Sequence, residues 1–204
     1  MNVRLNYDFD FTAGIWMDGE LRYNRYKIGM HMVTGTENSF NQSTAMERIR
    51  YFLGKVSRSV FINSENIEII EKLIDIGIPV ITLPGDPYDQ FVELALFRKF
   101  NAITEGNIIV TDIELASLFG DYINYLHCDE EDDGPFAMES WWSKSTLEQF
   151  DKKLLHKGKN VVKITRYPDW NEVDLGWENE QDDEYEYVVE FTPDNSLAFE
   201  KDEN

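Results

Sequence analysis

Apolar and polar side chains alternate strictly near the start of the chain, with Val3, Leu5, Tyr7, Phe9 and Phe11 separated by Arg4, Asn6, Asp8 and Asp10. This period of two predicts a half-buried β-strand. Gly14-Ile15-Trp16-Met17 follows, then Asp18-Gly19, then Glu20-Leu21-Arg22-Tyr23. An Asp-Gly pair between two such runs predicts a two-residue hairpin, because both turn positions need positive φ. A further strand is predicted over Tyr26–Val33, with Ile28, Met30 and Met32 on one face and Lys27 and His31 on the other.

Helix and strand patterns then alternate. Thr44-Ala45-Met46-Glu47 fits a capping box ahead of Met46, Ile49, Leu53 and Val56, which share one helical face. Ser59–Asn63 reads as a short apolar strand, and Ser64 is placed to cap a helix through Ile67, Ile70, Leu73 and Ile74 that ends at Gly77. Pro79–Leu83 is another apolar strand. Asp86-Pro87 suits the cap and first residue of a third helix carrying Phe91, Leu94, Ala95 and Phe97, and Ile108–Thr111 is the next strand. Tyr122–His127 alternates weakly, Ser143–Leu155 has helical spacing, and Val161–Arg166 and Tyr185–Phe191 read as strands.

Strands separated by amphipathic helices imply crossover connections. The predicted fold is therefore α/β, with a mixed, largely parallel sheet flanked by helices. The N-terminal β-hairpin extends the sheet at one edge. Residues 1–128 form this core and residues 129–204 an acidic, tryptophan-containing α+β extension packed on it.

Composition sharpens the division. The chain of 204 residues carries 39 acidic and 19 basic side chains, a formal charge of −20. Residues 1–128 hold 17 acidic and 11 basic side chains, whereas the shorter remainder holds 22 and 8. Two blocks dominate that remainder: Asp129, Glu130, Glu131, Asp132 and Asp133, and the stretch containing Asp182, Asp183, Glu184 and Glu186. Such a charge repels a nucleic-acid backbone or an anionic membrane and attracts basic proteins. No stretch is long and apolar enough to suggest a membrane span, and the N-terminus lacks the apolar block of a secretory leader, which points to the cytoplasm. Cys128 is the sole cysteine, so no intrachain disulfide is expected.

Candidate chemistry is sparse. Ligands of parallel sheets sit beyond the carboxyl ends of the strands. There, Asp86, Asp89, Asp112 and Glu114 are candidates to hold Mg²⁺ for a metal-dependent hydrolase or a nucleotide-handling enzyme. Helix capping, dipole complementation and solvated strand ends explain the same four residues without a metal. His127 and Cys128 are adjacent, which on a strand sends their side chains to opposite faces and argues against a catalytic pair. Trp141 and Trp142 lie among acidic residues and suit either an interaction surface or the docking of the extension onto the core.

The stretches AMERIRYFLGKVSRSVFIN (Ala45–Asn63), LPGDPYDQF (Leu83–Phe91), NAITEGNIIVTDIELASLFGD (Asn101–Asp121) and GPFAMESWW (Gly134–Trp142) resemble small accessory proteins of tailed bacteriophages whose functions are undescribed. The resemblance implies a protein that meets host machinery or the virion, in the host cytoplasm, and carries over no catalytic residue. The leading expectation is a non-enzymatic binding protein, without cofactor, that engages a basic surface on a host protein, in one version as a nucleic-acid mimic. The alternatives are the Mg²⁺-dependent enzyme and a virion-associated, self-associating structural protein.

Overall fold

The Asp18-Gly19 turn forms as its sequence requires, with φ of 54° at Asp18 and 78° at Gly19. Around it β1 (Arg4–Met17) and β2 (Glu20–Thr34) pair antiparallel over their full length, from Arg4 opposite Val33 to Met17 opposite Glu20. The separate runs of the sequence reading thus merge into two long strands. The computed structural model describes residues 3–128, 134–147 and 168–178.

The remaining elements are α1 (Ser39–Val56), β3 (Val60–Asn63), α2 (Ile67–Asp75), β4 (Val80–Leu83), α3 (Asp89–Thr104), β5 (Ile108–Ser117) and β6 (Tyr125–Cys128). The sheet order is β4-β3-β1-β2-β5-β6. Two features of the sequence reading are corrected. The hairpin occupies the middle of the sheet, not an edge, and three of the five pairings among the described residues are antiparallel. The crossovers through α1 and α2 do produce parallel pairing, but only of β1 with β3 and β3 with β4. The other half of the sheet grows from β2, whose direction the tight turn reversed.

Helix starts also shift. The α1 cap is Asn38, whose side-chain oxygen accepts from the backbone N–H groups of Phe40 and Asn41, so the helix begins five residues before the predicted Thr44 cap. The α3 helix begins at Asp89 with Tyr88 as cap, so Asp86 lies in the preceding loop.

Helices α1 and α3 lie on one face of the sheet over the main core, which includes Phe11, Ile15, Tyr26, Phe52, Phe61, Leu96, Phe100 and Ile113. Helix α2 covers only the β3–β4 side of the other face, against Val60, Ile62, Val80 and Trp16. Over β1 and β2 no described element covers that second face, and Asn6, Asp8, Asp10, Arg25, Lys27 and His31 on it are exposed.

The described parts of the C-terminal extension join the main core through Phe136, Trp141, Trp142, Leu147 and Trp170. A buried cation fixes the first of these parts. Lys99 on α3 is 0% exposed, and its ammonium donates to the carbonyls of Trp141 (3.0 Å), Lys144 (2.8 Å) and Thr146. The Trp141 indole N–H in turn donates to the Thr82 carbonyl of β4 at 2.8 Å, closing the edge of that strand. The predicted Ser143–Leu155 helix is replaced, where described, by a short 3-10 turn at Trp141–Ser143 followed by extended backbone at Lys144. Its remainder, and the predicted strands over Val161–Arg166 and Tyr185–Phe191, lie outside the described residues.

Replacing Lys99 by methionine keeps most of the buried stem but strands three carbonyls. The Lys99→Met protein is expected to lose about 3 kcal/mol of stability, read as a lower urea midpoint by tryptophan fluorescence. An unchanged midpoint would show that water, not the ammonium, satisfies these carbonyls.

Candidate functional site

The carboxyl ends of β1, β3, β4 and β5 meet at one edge of the sheet, where ligands of α/β proteins commonly bind. Here Asp86 accepts a hydrogen bond from the Asn63 amide at 3.0 Å. Asp89, only 6% exposed, lies against the Ser117 hydroxyl, 2.8 Å from each carboxylate oxygen. That hydroxyl also accepts the Gly120 backbone N–H at 3.0 Å. Glycine is required at 120, since a Cβ there would stand 2.3 Å from an Asp89 oxygen. Burial raises the Asp89 pKa above the ordinary carboxylate range, and the Ser117 hydroxyl and backbone N–H oppose that rise. Two fully buried side chains complete the cluster. The Asn24 oxygen accepts the Phe119 N–H at 3.0 Å, while the Asn24 amide nitrogen and the Tyr26 hydroxyl complete no hydrogen bond among the described residues. Burial pushes the Tyr26 phenol pKa upward, with the nearby Asn24 amide opposing it.

Asp112 and Glu114 are elsewhere, inside β5, in register with His31 and Gly29 of β2. The sequence reading ended that strand at Thr111, where the alternation of buried positions breaks. The break is a β-bulge: His31 stands opposite Asp112 but Met32 opposite Val110, leaving Thr111 as the extra residue. Core positions therefore pass from Ile108 and Val110 to Ile113 and Leu115. The four carboxylates proposed for Mg²⁺ thus divide between the strand ends and the strand interior. Among the described residues no group of three or more His, Cys, Asp or Glu side chains is close enough to hold a metal ion.

At the bulge the open face is hollowed into a depression of about 330 Å³. His31 and Asn6 meet across it at 2.9 Å, and the Thr111 hydroxyl lies 2.8 Å from an Asp112 carboxylate oxygen. His127, by contrast, is buried with its ring 4.8 Å from that of Phe97.

The predicted interaction residues fall into two groups. Asp129–Asp133 and the block from Asp182 to Glu186 lie outside the described residues. Trp141 and Trp142 are 1% and 6% exposed, and the Trp142 indole N–H lies 3.1 Å from the carbonyls of both Phe136 and Met138. Their rings dock the extension and offer no contact surface in this fold.

A different part of the extension is presented outward. Residues 168–178 run along α1, held by Arg48, which is 2% exposed. The Arg48 guanidinium donates to the carbonyls of Leu175 (2.8 Å) and Ile103 (3.1 Å) and to the Glu105 carboxylate (3.0 Å). Its central carbon stands 3.5 Å from the Trp177 ring centre and 4.7 Å from that of Trp170, a cation stacked between two indoles. Burial lowers the Arg48 pKa, and Glu105 acts in the opposite direction. With both tryptophans turned inward, the segment exposes Asp169, Glu172, Asp174 and Glu178 and contains no basic residue. Glu178 is further tied to α1 by the Asn38 amide and by its own N–H to Asn41.

The sequence reading passed over Arg48 and Lys99 because long cations on amphipathic helices usually face solvent. The signal was positional. Arg48 lies between Ala45 and Phe52, and Lys99 between Leu96 and Ile103, on the buried stripes of their helices. Among the described residues no helix is long and apolar enough to cross a membrane. Comparison of the chain with models of known protein families and with curated proteins found no match.

Two outcomes test this geometry. Arg48→Lys keeps the charge but loses the fork and the stack, so about 2 kcal/mol of stability should be lost, with about 4 kcal/mol for Arg48→Ala. Quenching of tryptophan fluorescence by iodide should rise in both, as Trp170 and Trp177 become accessible. The second outcome concerns pH. A carboxyl whose folded pKa is raised contributes stability at low pH that is lost as pH rises through the ordinary carboxylate range and the raised folded value. Between about pH 4 and about pH 7 the urea midpoint of the wild type should therefore fall relative to that of Asp89→Asn. Parallel profiles would show Asp89 to be effectively solvated.

Proposed function

We propose that this is a non-enzymatic binding protein whose acidic face engages a basic surface on a protein partner. One observation carries the reading: the 168–178 segment is clamped to α1 by a buried arginine and holds four exposed carboxylates and no basic residue of its own. Carboxylates on a fixed backbone present a field already formed before the encounter, so less ordering is needed on binding and association is steered at a distance. The two acidic blocks that border the described parts of the extension add charge of the same sign. In the phage setting that the resemblance implies, a host protein that handles nucleic acid is the natural partner, and the carboxylates would stand in for its phosphates.

Affinity capture from host lysate tests this. The wild type should retain a basic protein at about 50 mM salt and release it at about 500 mM, where exposed charges are screened within a few ångströms. The quadruple variant Asp169→Asn, Glu172→Gln, Asp174→Asn, Glu178→Gln should recover about tenfold less. Recovery that is indifferent to both salt and neutralisation would overturn the proposal.

A further inference from the structure

The central hairpin leaves part of one strand edge without a neighbour among the described residues. Strand β2 pairs with β5 only from Tyr26 onward, so residues 20–25 have β1 on one side alone. Gly14 turns its N–H outward to the Ser59 carbonyl at 2.9 Å, so Gly14 and Tyr23, which stand opposite each other, exchange no main-chain bonds. Antiparallel pairing alternates, and Leu21, Tyr23 and Arg25 therefore direct their N–H and C=O groups away from β1. The Arg25 carbonyl accepts the Leu118 N–H at 2.9 Å, whereas no described group bonds to the main chain of Leu21 or Tyr23 on that side. Such an edge is a template for a further strand.

Beyond Leu118 the chain does not continue along this edge. It folds back on itself, with the Tyr122 N–H on the Ser117 carbonyl at 2.8 Å and both Asp121 and Tyr122 in the left-handed region, at φ of 53° and 56°. These conformations cost non-glycine residues free energy, and the turn they form keeps the edge at Leu21 and Tyr23 uncovered by β5. The side chains around the edge are apolar and exposed: Leu21 (48%), Tyr23 (70%), Leu118 (50%) and Phe119 (40%). Charge is balanced here. Residues 18–27 and 117–126 together hold three acidic and three basic side chains, in a chain with 39 and 19. Two copies, each of formal charge −20, meet least repulsion through such a surface.

We propose that this edge pairs with itself, joining two copies of the chain antiparallel about a two-fold axis at Leu21. Leu21 then exchanges both main-chain bonds with the partner's Leu21, and the Tyr23 ring lies against the partner's Gly19. The same register sets Glu20 directly opposite the partner's Arg22, and Arg22 opposite the partner's Glu20. Within one chain these two residues form an ion pair of 3.0 Å on one face of β2. Across the axis their opposite charges meet twice, which favours a second copy of this chain over an unrelated strand and this register over its neighbours. Phe119, whose ring centre lies 5.3 Å from the Arg22 guanidinium carbon, borders the pair. The contact uses no residue of 168–178 and stands or falls apart from the acidic segment.

Sedimentation velocity of the full chain from about 5 to about 500 µM tests the pairing, a range suited to the affinity of a small interface. The wild type should pass from the mass of one chain to that of two. Glu20→Arg sets arginine opposite arginine and Arg22→Glu sets glutamate opposite glutamate, so each alone should weaken dimerisation at least about tenfold. The double variant restores opposite charges across the axis and should dimerise as the wild type does. Exposed ion pairs contribute little to stability, so all three variants should keep the wild-type urea midpoint. A wild type that stays monomeric throughout, a dimer that survives either single exchange, or a double variant that remains monomeric would overturn the proposal.

Discussion

A lysine ammonium withdrawn completely from water demands replacement of its hydration shell, and that demand organises the helical layer of this protein. Three carbonyls of the 141–146 segment supply the replacement at Lys99, and they converge only because the chain turns sharply at Trp141–Ser143. The turn delivers the Trp141 indole to the β4 edge, so one buried charge links α3, the extension and the parallel end of the sheet. Arg48 repeats the arrangement on α1 with different chemistry. Its planar cation is accepted by two indole faces as well as by carbonyls, which suits it to grip a chain segment lying along a helix. Desolvated cations of this kind contribute little net stability against a well-packed apolar alternative, yet they penalise every misdocked arrangement heavily.

Much of the fold was legible from periodicity. The hairpin, the three helices and the short strands β3 and β4 all stand where alternation, caps and Gly77 placed them, apart from the helix starts. The position of the hairpin was not legible, because period and turn chemistry describe a strand but not its neighbours. The Asp18-Gly19 turn sends β2 back against β1, and the pairs beyond it, β2 with β5 and β5 with β6, are antiparallel as well. The extension was the least legible part, since its geometry depends on long-range bonds to Lys99, Arg48 and Thr82 that leave no local pattern.

The candidate site was legible in charge but not in form. The sequence announced an acidic C-terminal region with tryptophans beside it and suggested that both might face a partner. The described structure separates the roles: Trp141, Trp142 and Trp170 are buried, Trp177 is stacked on Arg48, and the carboxylates of 168–178 are left outside. Aromatic rings among acids can thus be the foundation of a charged surface instead of a part of it. The strand-end carboxylates were misplaced for a simpler reason, since a strand assumed to stop at Thr111 continues through Asp112 and Glu114 to Ser117.

The bulge at Thr111 has a consequence for how this gene tolerates insertion and deletion. Residues of β5 before it and after it obey opposite parities, and a single extra residue reconciles them. Loss of Thr111 would make Val110 and Asp112 neighbours and restore an unbroken alternation, with Ile113 and Leu115 still on the core face and Asp112 and Glu114 still on the other. Loss of a residue before the bulge or beyond Ile113 would instead turn the rest of the strand over. For β5, length is therefore free to change at one position only, and lineages of this sequence should gain or lose a residue there before anywhere else along the strand.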